Sequence, residues 1–322
     1  MKKFYPFFLL FIITVLGGCV EEDSSQDVDL VKEETSTTFT ATISSPKSPA
    51  IFPIILVAHE QEGAELIKWE TSDTLLTQIQ NEEAQFFILP LNIGANLYAK
   101  GMPIQLLQVN TWGSMFLVST NGTIHDLQDL AGKTIFVPSQ GGPPDILTNY
   151  YLNQDNIKNV TLSFVNLSEI GQQIASGTIE NVVLPEPMLS ILQANVPLEL
   201  HTVLDFNEAW EEHFDQSLPQ AGVFVKQEWA ANHKQSIEQF QSLSEDAITN
   251  LQQNNEAAIP LISKYFDSTE QIINNALANS SLHFHTAQQS KEEIEAYFNL
   301  LIDVAPESIG GVLPDENFYY TQ

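Results

Sequence analysis

The few residues with the types and spacing to do chemistry lie in short loops between apolar runs. Gln140-Gly141-Gly142-Pro143-Pro144 follows the apolar run 134–137 and precedes a helical segment. Two glycines let the backbone come close to a ligand, and a proline opens the next helix where its missing N–H costs nothing. Free N–H groups and the positive helix end can then receive an anion or a carbonyl oxygen without a basic side chain. The same residues also suit a plain tight turn. Trp112 and Gly113 sit in an Asn-Thr-Trp-Gly turn. An aromatic face beside a glycine there fits a wall for a planar or apolar ligand, or the packing of a domain junction. Glu186 stands between Pro185 and Pro187, so its carboxylate is held in a rigid turn, as acceptor for an amine or ring nitrogen, as a helix cap or as a hinge. His283 and His285 would share one face of a strand, but two donors without a third ligand make an exposed strand the expectation and a metal site not. Gly-x-Ser-x-Gly, His-Glu-x-x-His and phosphate-loop Gly-Lys-Ser/Thr patterns are absent, so no catalytic residue and no cofactor is expected.

One further reactive group is the chain's only cysteine, Cys19. Lys2 and Lys3 form a cationic start, residues 7–16 an apolar run, and Gly17-Gly18-Cys19 a small-residue cleavage site. The run is shorter than the about 20 apolar residues a spanning helix needs. Leu16-Gly17-Gly18-Cys19 resembles the lipobox of bacterial lipoproteins; a cleavable secretory signal with an incidental cysteine is the alternative. The lipobox implies a lipoprotein signal peptide over residues 1–18 and lipidation of Cys19. It also implies a mature chain held by acyl chains on the extracytoplasmic face of a bacterial cell membrane. Residues 19–37, acidic and Ser/Thr-rich, read as a disordered tether.

These groups need a scaffold, and the composition supplies one. With 43% hydrophobic and 10% aromatic residues the chain can bury a core, and with one cysteine that core must hold without an internal disulfide. The net charge of −29 excludes nucleic acid as a partner. All 12 basic residues are lysines, so the forked guanidinium that clamps carboxylate, sulfonate or phosphate is missing. The acidic balance itself reads as a habitat or solubility trait.

Strands are expected at 39–43, 66–70, 86–89, 104–109, 115–118, 134–137, 160–165, 182–184, 198–204 and 222–225. Helices are expected at 50–60, 73–83, 93–100, 145–152, 168–176 and 188–193, with a helical turn at 126–130. Beyond residue 227 the pattern is mostly helical, over 229–253, 256–266, 269–278 and 290–301. Strands alternating with helices imply α/β architecture with mainly parallel sheets covered on both faces.

Residues 89–101 (LPLNIGANLYAKG), 129–138 (DLAGKTIFVP), 184–187 (LPEP) and 218–223 (LPQAGV) resemble the solute-binding lipoproteins of ABC importers. The resemblance is to the nitrate, sulfonate and taurine group that includes binders of thiamine-pyrimidine precursors, and it spans roughly residues 38–302. It implies the two-lobed type II periplasmic-binding-protein fold, with each lobe a mainly parallel sheet flanked by helices and a helical C-terminal region. Residues 38–118 and 219–322 would form lobe 1, and 119–218 lobe 2. Carried onto this sequence, it implies ligand contacts from Ser44, Ser45, Pro46, Asn92, Trp112 and Gly113, and from Gln140, Gly141, Gly142 and Glu186 across the cleft. The implied protein is a monomeric, non-catalytic receptor that delivers a small organic solute to an ABC permease and its ATPase. A metal-binding lipoprotein and an enzyme on the same two-lobed fold are the alternatives. Composition pulls away from the group's anionic ligands, because an acidic chain without arginine repels anions and lacks the donor that would offset their desolvation. Trp112 and Glu186 favour a nitrogen-containing solute over a simple oxyanion.

Overall fold

The computed structural model describes residues 39–253 and 255–322; the signal peptide, Cys19 and the tether over 19–37 lie outside the described residues. The first half runs β1 (Thr40–Ser45), α1 (Phe52–Glu60), β2 (Gly63–Lys68), α2 (Ser72–Gln80), β3 (Phe86–Pro90), α3 (Leu91–Ala99) and β4 (Ile104–Thr111). Next come β5 (Met115–Ser119), β6 (Thr134–Val137), α4 (Pro143–Gln154), β7 (Thr161–Phe164), α5 (Leu167–Ala175), β8 (Asn181–Pro185), α6 (Met188–Asn195), β9 (His201–Asp205) and α7 (Phe206–Phe214). The chain then returns through β10 (Ala221–Lys226) to α8 (Gln227–Asn232), α9 (Lys234–Gln253), α10 (Ala258–Phe266), α11 (Glu270–Ala278), β11 (Leu282–Thr286) and α12 (Lys291–Val304).

Local chemistry sets many of these boundaries. Thr71, Asp205 and Thr269 each accept from a backbone N–H at the start of α2, α7 and α11, the usual N-cap device. Asp126 and Asp129 close a reciprocal capping box around the short turn Leu127–Leu130. The helix expected over 229–253 is two helices, broken at His233, whose Nδ1 lies 2.8 Å from the Trp229 carbonyl. Helix α7 is absent from the expected elements, although Asp205 caps it and Phe206 and Trp210, one turn apart, are fully buried.

Two sheets result, ordered β11-β4-β10-β3-β1-β2 and β7-β6-β8-β5-β9. Strands β1, β2 and β3 are parallel, as are β6, β7 and β8. Strand β10 is antiparallel to β3 and β4, and β5 is antiparallel to β8 and β9, so both sheets are mixed. The reason is the crossover. β5 and β10 are the first strands after the chain passes between lobes; each starts at the edge where its parallel neighbours end and must run against them.

The expected lobe boundary after residue 118 is therefore one strand late, since β5 belongs to the second sheet. The chain crosses in the segment between Thr111 and Met115, and back just before Ala221. Phe39, Phe86, Phe240 and Trp229 pack against the first sheet, the Phe86 and Phe240 rings stacking at 4.3 Å. Each such aromatic pair adds about 0.5–1.5 kcal/mol beyond burial. Two lobes built on two such sheets form the two-lobed periplasmic-binding fold.

Candidate ligand-binding cleft

A cavity of about 460 Å³ lies between the two sheets, a size suited to a small organic molecule. The first lobe contributes Pro46, Ser48, Pro49 and Ala50 after β1, Asn92 and Ile93 at the start of α3, and Thr111 at the end of β4. The second contributes the loop and helix start from Ser139 to Pro144, after β6, and Pro185 and Glu186 at the end of β8. Strand ends thus converge on the cavity, as open α/β sheets do around their ligands.

Pro46, Asn92, Gln140, Gly141, Gly142 and Glu186 all lie on the cavity wall. Ser44, Ser45, Trp112 and Gly113 do not. Ser44 Oγ donates to Gln78 Oε1, and Ser45 Oγ donates to the Pro46 carbonyl at 2.8 Å, so neither hydroxyl is free for a solute. The Trp112 indole is 2% exposed; its Nε1–H donates to the His283 carbonyl at 3.1 Å and its ring meets His285 edge-on. Its backbone N–H donates to the Ser281 carbonyl, and the Gly113 carbonyl accepts from Ser281 N–H. Of its two sequence readings, Trp112 follows the junction one: the crossover is pinned to the segment before β11. Gly113, with φ of +122°, faces Asn207 so closely that a Cβ would sit 2.4 Å from it.

The glycine loop is not a set of free donors. Gly141 N–H donates to Asp145 Oδ2 at 2.8 Å, and Gly142 N–H to the Ser139 carbonyl at 2.8 Å. Asn149 Nδ2 holds the other Asp145 oxygen at 2.7 Å. The position that could have taken a ligand's oxyanion is filled by a carboxylate of the chain itself.

Glu186 is 2% exposed and fully engaged. Its Oε1 accepts from Asn279 Nδ2 at 2.7 Å and Ser190 Oγ at 3.0 Å, and its Oε2 from Ser190 N–H at 3.2 Å. Burial pushes its carboxyl above the usual range, and those hydrogen bonds pull partly against this. Asn279 ends α11, which packs into the first lobe's core through Ile273 and Ala276. Glu186 thus accepts from the first turn of α6 and ties the second lobe to the first. Asn92 Oδ1 and Thr111 Oγ1, both buried on the wall, have no hydrogen-bond partner. His283 and His285 stand on β11 as expected, with His283 lowered by burial and then by His285. No cluster of three metal-ligating side chains occurs among the described residues.

The loop pattern pointed to Gln140 and its neighbours, and Gln220 and Ala221 lie in the 218–223 segment that carries the resemblance without being expected as contacts, but Ser48 and Ser114 on the wall had no sequence signal. Ser114, Gln220 and Ala221 lie at the crossovers and Ser48 follows β1; only the three-dimensional path brings them to the cleft.

Known proteins place this architecture. Residues 109–303 match the family described as Menaquinone biosynthesis, VitK2_biosynth. The chain belongs to that family. A curated relative, the putative binding protein YtlA of Bacillus subtilis, is 26% identical over 194 residues, which are 57% of this chain and 56% of that protein. The chain thus spans little more than half the length of that relative. Among solved structures, an ABC transporter from Parabacteroides distasonis superposes with a TM-score of 0.76 at 21% identity, over 88% of this chain and 99% of the other. The periplasmic aliphatic sulphonate binding protein SsuA of Escherichia coli gives 0.65 at 13% identity, over 84% and 95%. At these identities the likeness is one of fold, and it is the fold implied by the resemblance of residues 89–101 and 129–138. Among the described residues no helix is long and apolar enough to cross a membrane.

Proposed function

We propose that the protein is an extracytoplasmic solute-binding lipoprotein of an ABC importer. It would be anchored through Cys19, capture a small organic solute between its lobes and deliver it to a permease. The observation that carries this reading is the wall of the cleft. It gathers strand ends from both lobes yet, among the described residues, holds no Lys, His, Cys or Asp, and its single ionisable side chain, Glu186, is already bound to three donors. A site built this way can hold a molecule but has no free pair to move a proton or attack a bond. The names of SsuA, of the Parabacteroides protein and of YtlA support the same reading. Pro46, Asn92, Gln140 and Gly142 are the proposed contacts, with Glu186 setting the lobes rather than meeting the solute.

The family's description favours a second reading, an enzyme that uses the same cleft in menaquinone biosynthesis. The two are separated by purifying the full chain from its native membrane and identifying the small molecules released on denaturation. The recovered molecule is then returned to fresh protein. A receptor binds it saturably and gives it back unchanged; recovery of a chemically altered molecule supports the enzyme.

A further inference from the structure

Resting on the receptor reading, the cleft also declares the chemistry of its solute. We infer that it takes a small uncharged molecule with both N–H or O–H donors and a carbonyl-type acceptor, of which a carboxamide is the simplest example, and not an oxyanion.

Four observations lead there. Among the described residues no cationic side chain reaches the wall. Lys47, the neighbour of Pro46 in sequence, turns its ammonium to the Phe266 carbonyl at 3.4 Å. Second, backbone donors are scarce. Pro46, Pro49, Pro90, Pro143, Pro144 and Pro185 line the cavity and have no N–H to give. The two loop glycines donate to Asp145 and Ser139 instead. An entering sulfonate or carboxylate would find the N–H groups of both loop glycines already claimed, by Asp145 and Ser139, with no counter-charge on the wall to repay its desolvation.

Third, the wall carries polar groups without partners. Asn92 Oδ1, an acceptor, and Thr111 Oγ1, a hydroxyl that can donate or accept, are buried and unbonded, and a buried acceptor left unpaired is costly enough to expect a donor from the solute. A donor is complementary to Asn92 Oδ1; an oxyanion has none. Fourth, α3 begins on the wall with no side-chain cap; its Leu91 N–H donates to the Gln220 carbonyl, which leaves the next N–H groups of the first turn, those of Asn92 and Ile93, for one acceptor oxygen. A carboxamide meets both demands, its oxygen at the helix start and its N–H at Asn92. An ammonium fits less well, because the only wall carboxylate, Glu186, is already bound to Asn279 and Ser190.

The test uses the full chain in thermal-shift titrations with butyramide, valeramide and hexanamide, each beside its carboxylate, its sulfonate counterpart and its amine. The amides should raise the melting temperature and their matched ions should not. Asn92→Leu should weaken the best amide about tenfold, and Thr111→Val, close in shape, should act in the same direction if the first variant folds poorly. A carboxylate, sulfonate or amine that outperforms its amide overturns the inference while leaving the receptor reading intact. So does the absence of any amide effect. Conversion of the bound amide to acid would instead strike at the receptor reading.

Discussion

The Glu186–Asn279 bond offers the sharpest energetic prediction, because one carboxylate serves three donors and joins the two lobes. Glu186→Ala leaves Asn279 Nδ2, Ser190 Oγ and Ser190 N–H without their acceptor in a site that is 2% exposed at Glu186. A hydrogen bond to a charged group contributes about 1.5–3 kcal/mol. Taking the two shorter bonds at the low end gives about 3 kcal/mol, and relief of the buried carboxylate's desolvation offsets part of it. The expected loss is about 2–3 kcal/mol, or roughly 3–5 °C in melting temperature for a chain of this size. Asn279→Ala should cost less, since Ser190 still satisfies the carboxylate. The double variant should fall short of the sum by about 1–2 kcal/mol, the coupling expected of groups in direct contact. Urea unfolding of the wild type, both single variants and the double variant completes the cycle. Additivity within about 0.5 kcal/mol would refute the bridging role given to Glu186.

Three further outcomes follow from the same structure. Because burial raises the folded-state pKa of Glu186 above its unfolded value, its contribution is most favourable below the ordinary carboxylate range and falls as pH rises to the raised value. The stability of Glu186→Gln relative to wild type should therefore increase with pH across that window, read from urea midpoints; an opposite slope contradicts the assignment. Gly94→Ala would place a Cβ 2.0 Å from the Phe224 ring, which is fully buried between α3 and β10. It should cost about 1–3 kcal/mol by overpacking, and a thermal melt within a degree of wild type would show that the ring has room to move. Cys19→Ala should leave the protein unprocessed or free it from the membrane fraction, and unchanged processing and membrane attachment would remove the lipoprotein reading.

Much of the scaffold was legible because hydrophobic period, caps and breakers agree locally. Residues 86–89 and 134–137 are apolar runs of strand length, and Gly142-Pro143 announces α4 by the glycine-then-proline rule. Helix α7 escaped although Phe206, Trp210 and Phe214 recur every four residues after a capping Asp205, because its acidic outer face and the preceding strand masked the period. Strands β5 and β10 were expected at 115–118 and 222–225, but their antiparallel direction was not: strand direction is a property of the crossover path, which no local pattern encodes.

At the site, the loop containing Gln140, Gly141 and Gly142 was legible, but its electrostatics were not. The Asp145 carboxylate that fills it comes from the first turn of the following helix, where an acidic residue reads simply as dipole compensation. Glu186 and Asn279 stand 93 residues apart, so their bond carries no sequence signal. Ser44 and Ser45 reach the correct end of β1, yet the Gln78 side chain and the neighbouring Pro46 carbonyl claim their hydroxyls. Trp112 marks the correct crossover and then turns its ring into the junction.

Small-angle X-ray scattering on the full chain, with and without the molecule recovered from the native protein, tests most directly the claim that solute capture between two lobes is the protein's task. A parallel series on Gln140→Trp places an indole at the exposed mouth of the cleft. The account predicts a smaller radius of gyration on saturation of the wild type, the loss of that compaction in Gln140→Trp, and recovery of the molecule unchanged. Saturable binding with equal compaction in both proteins would contradict it, because the solute would then be held somewhere other than the cleft.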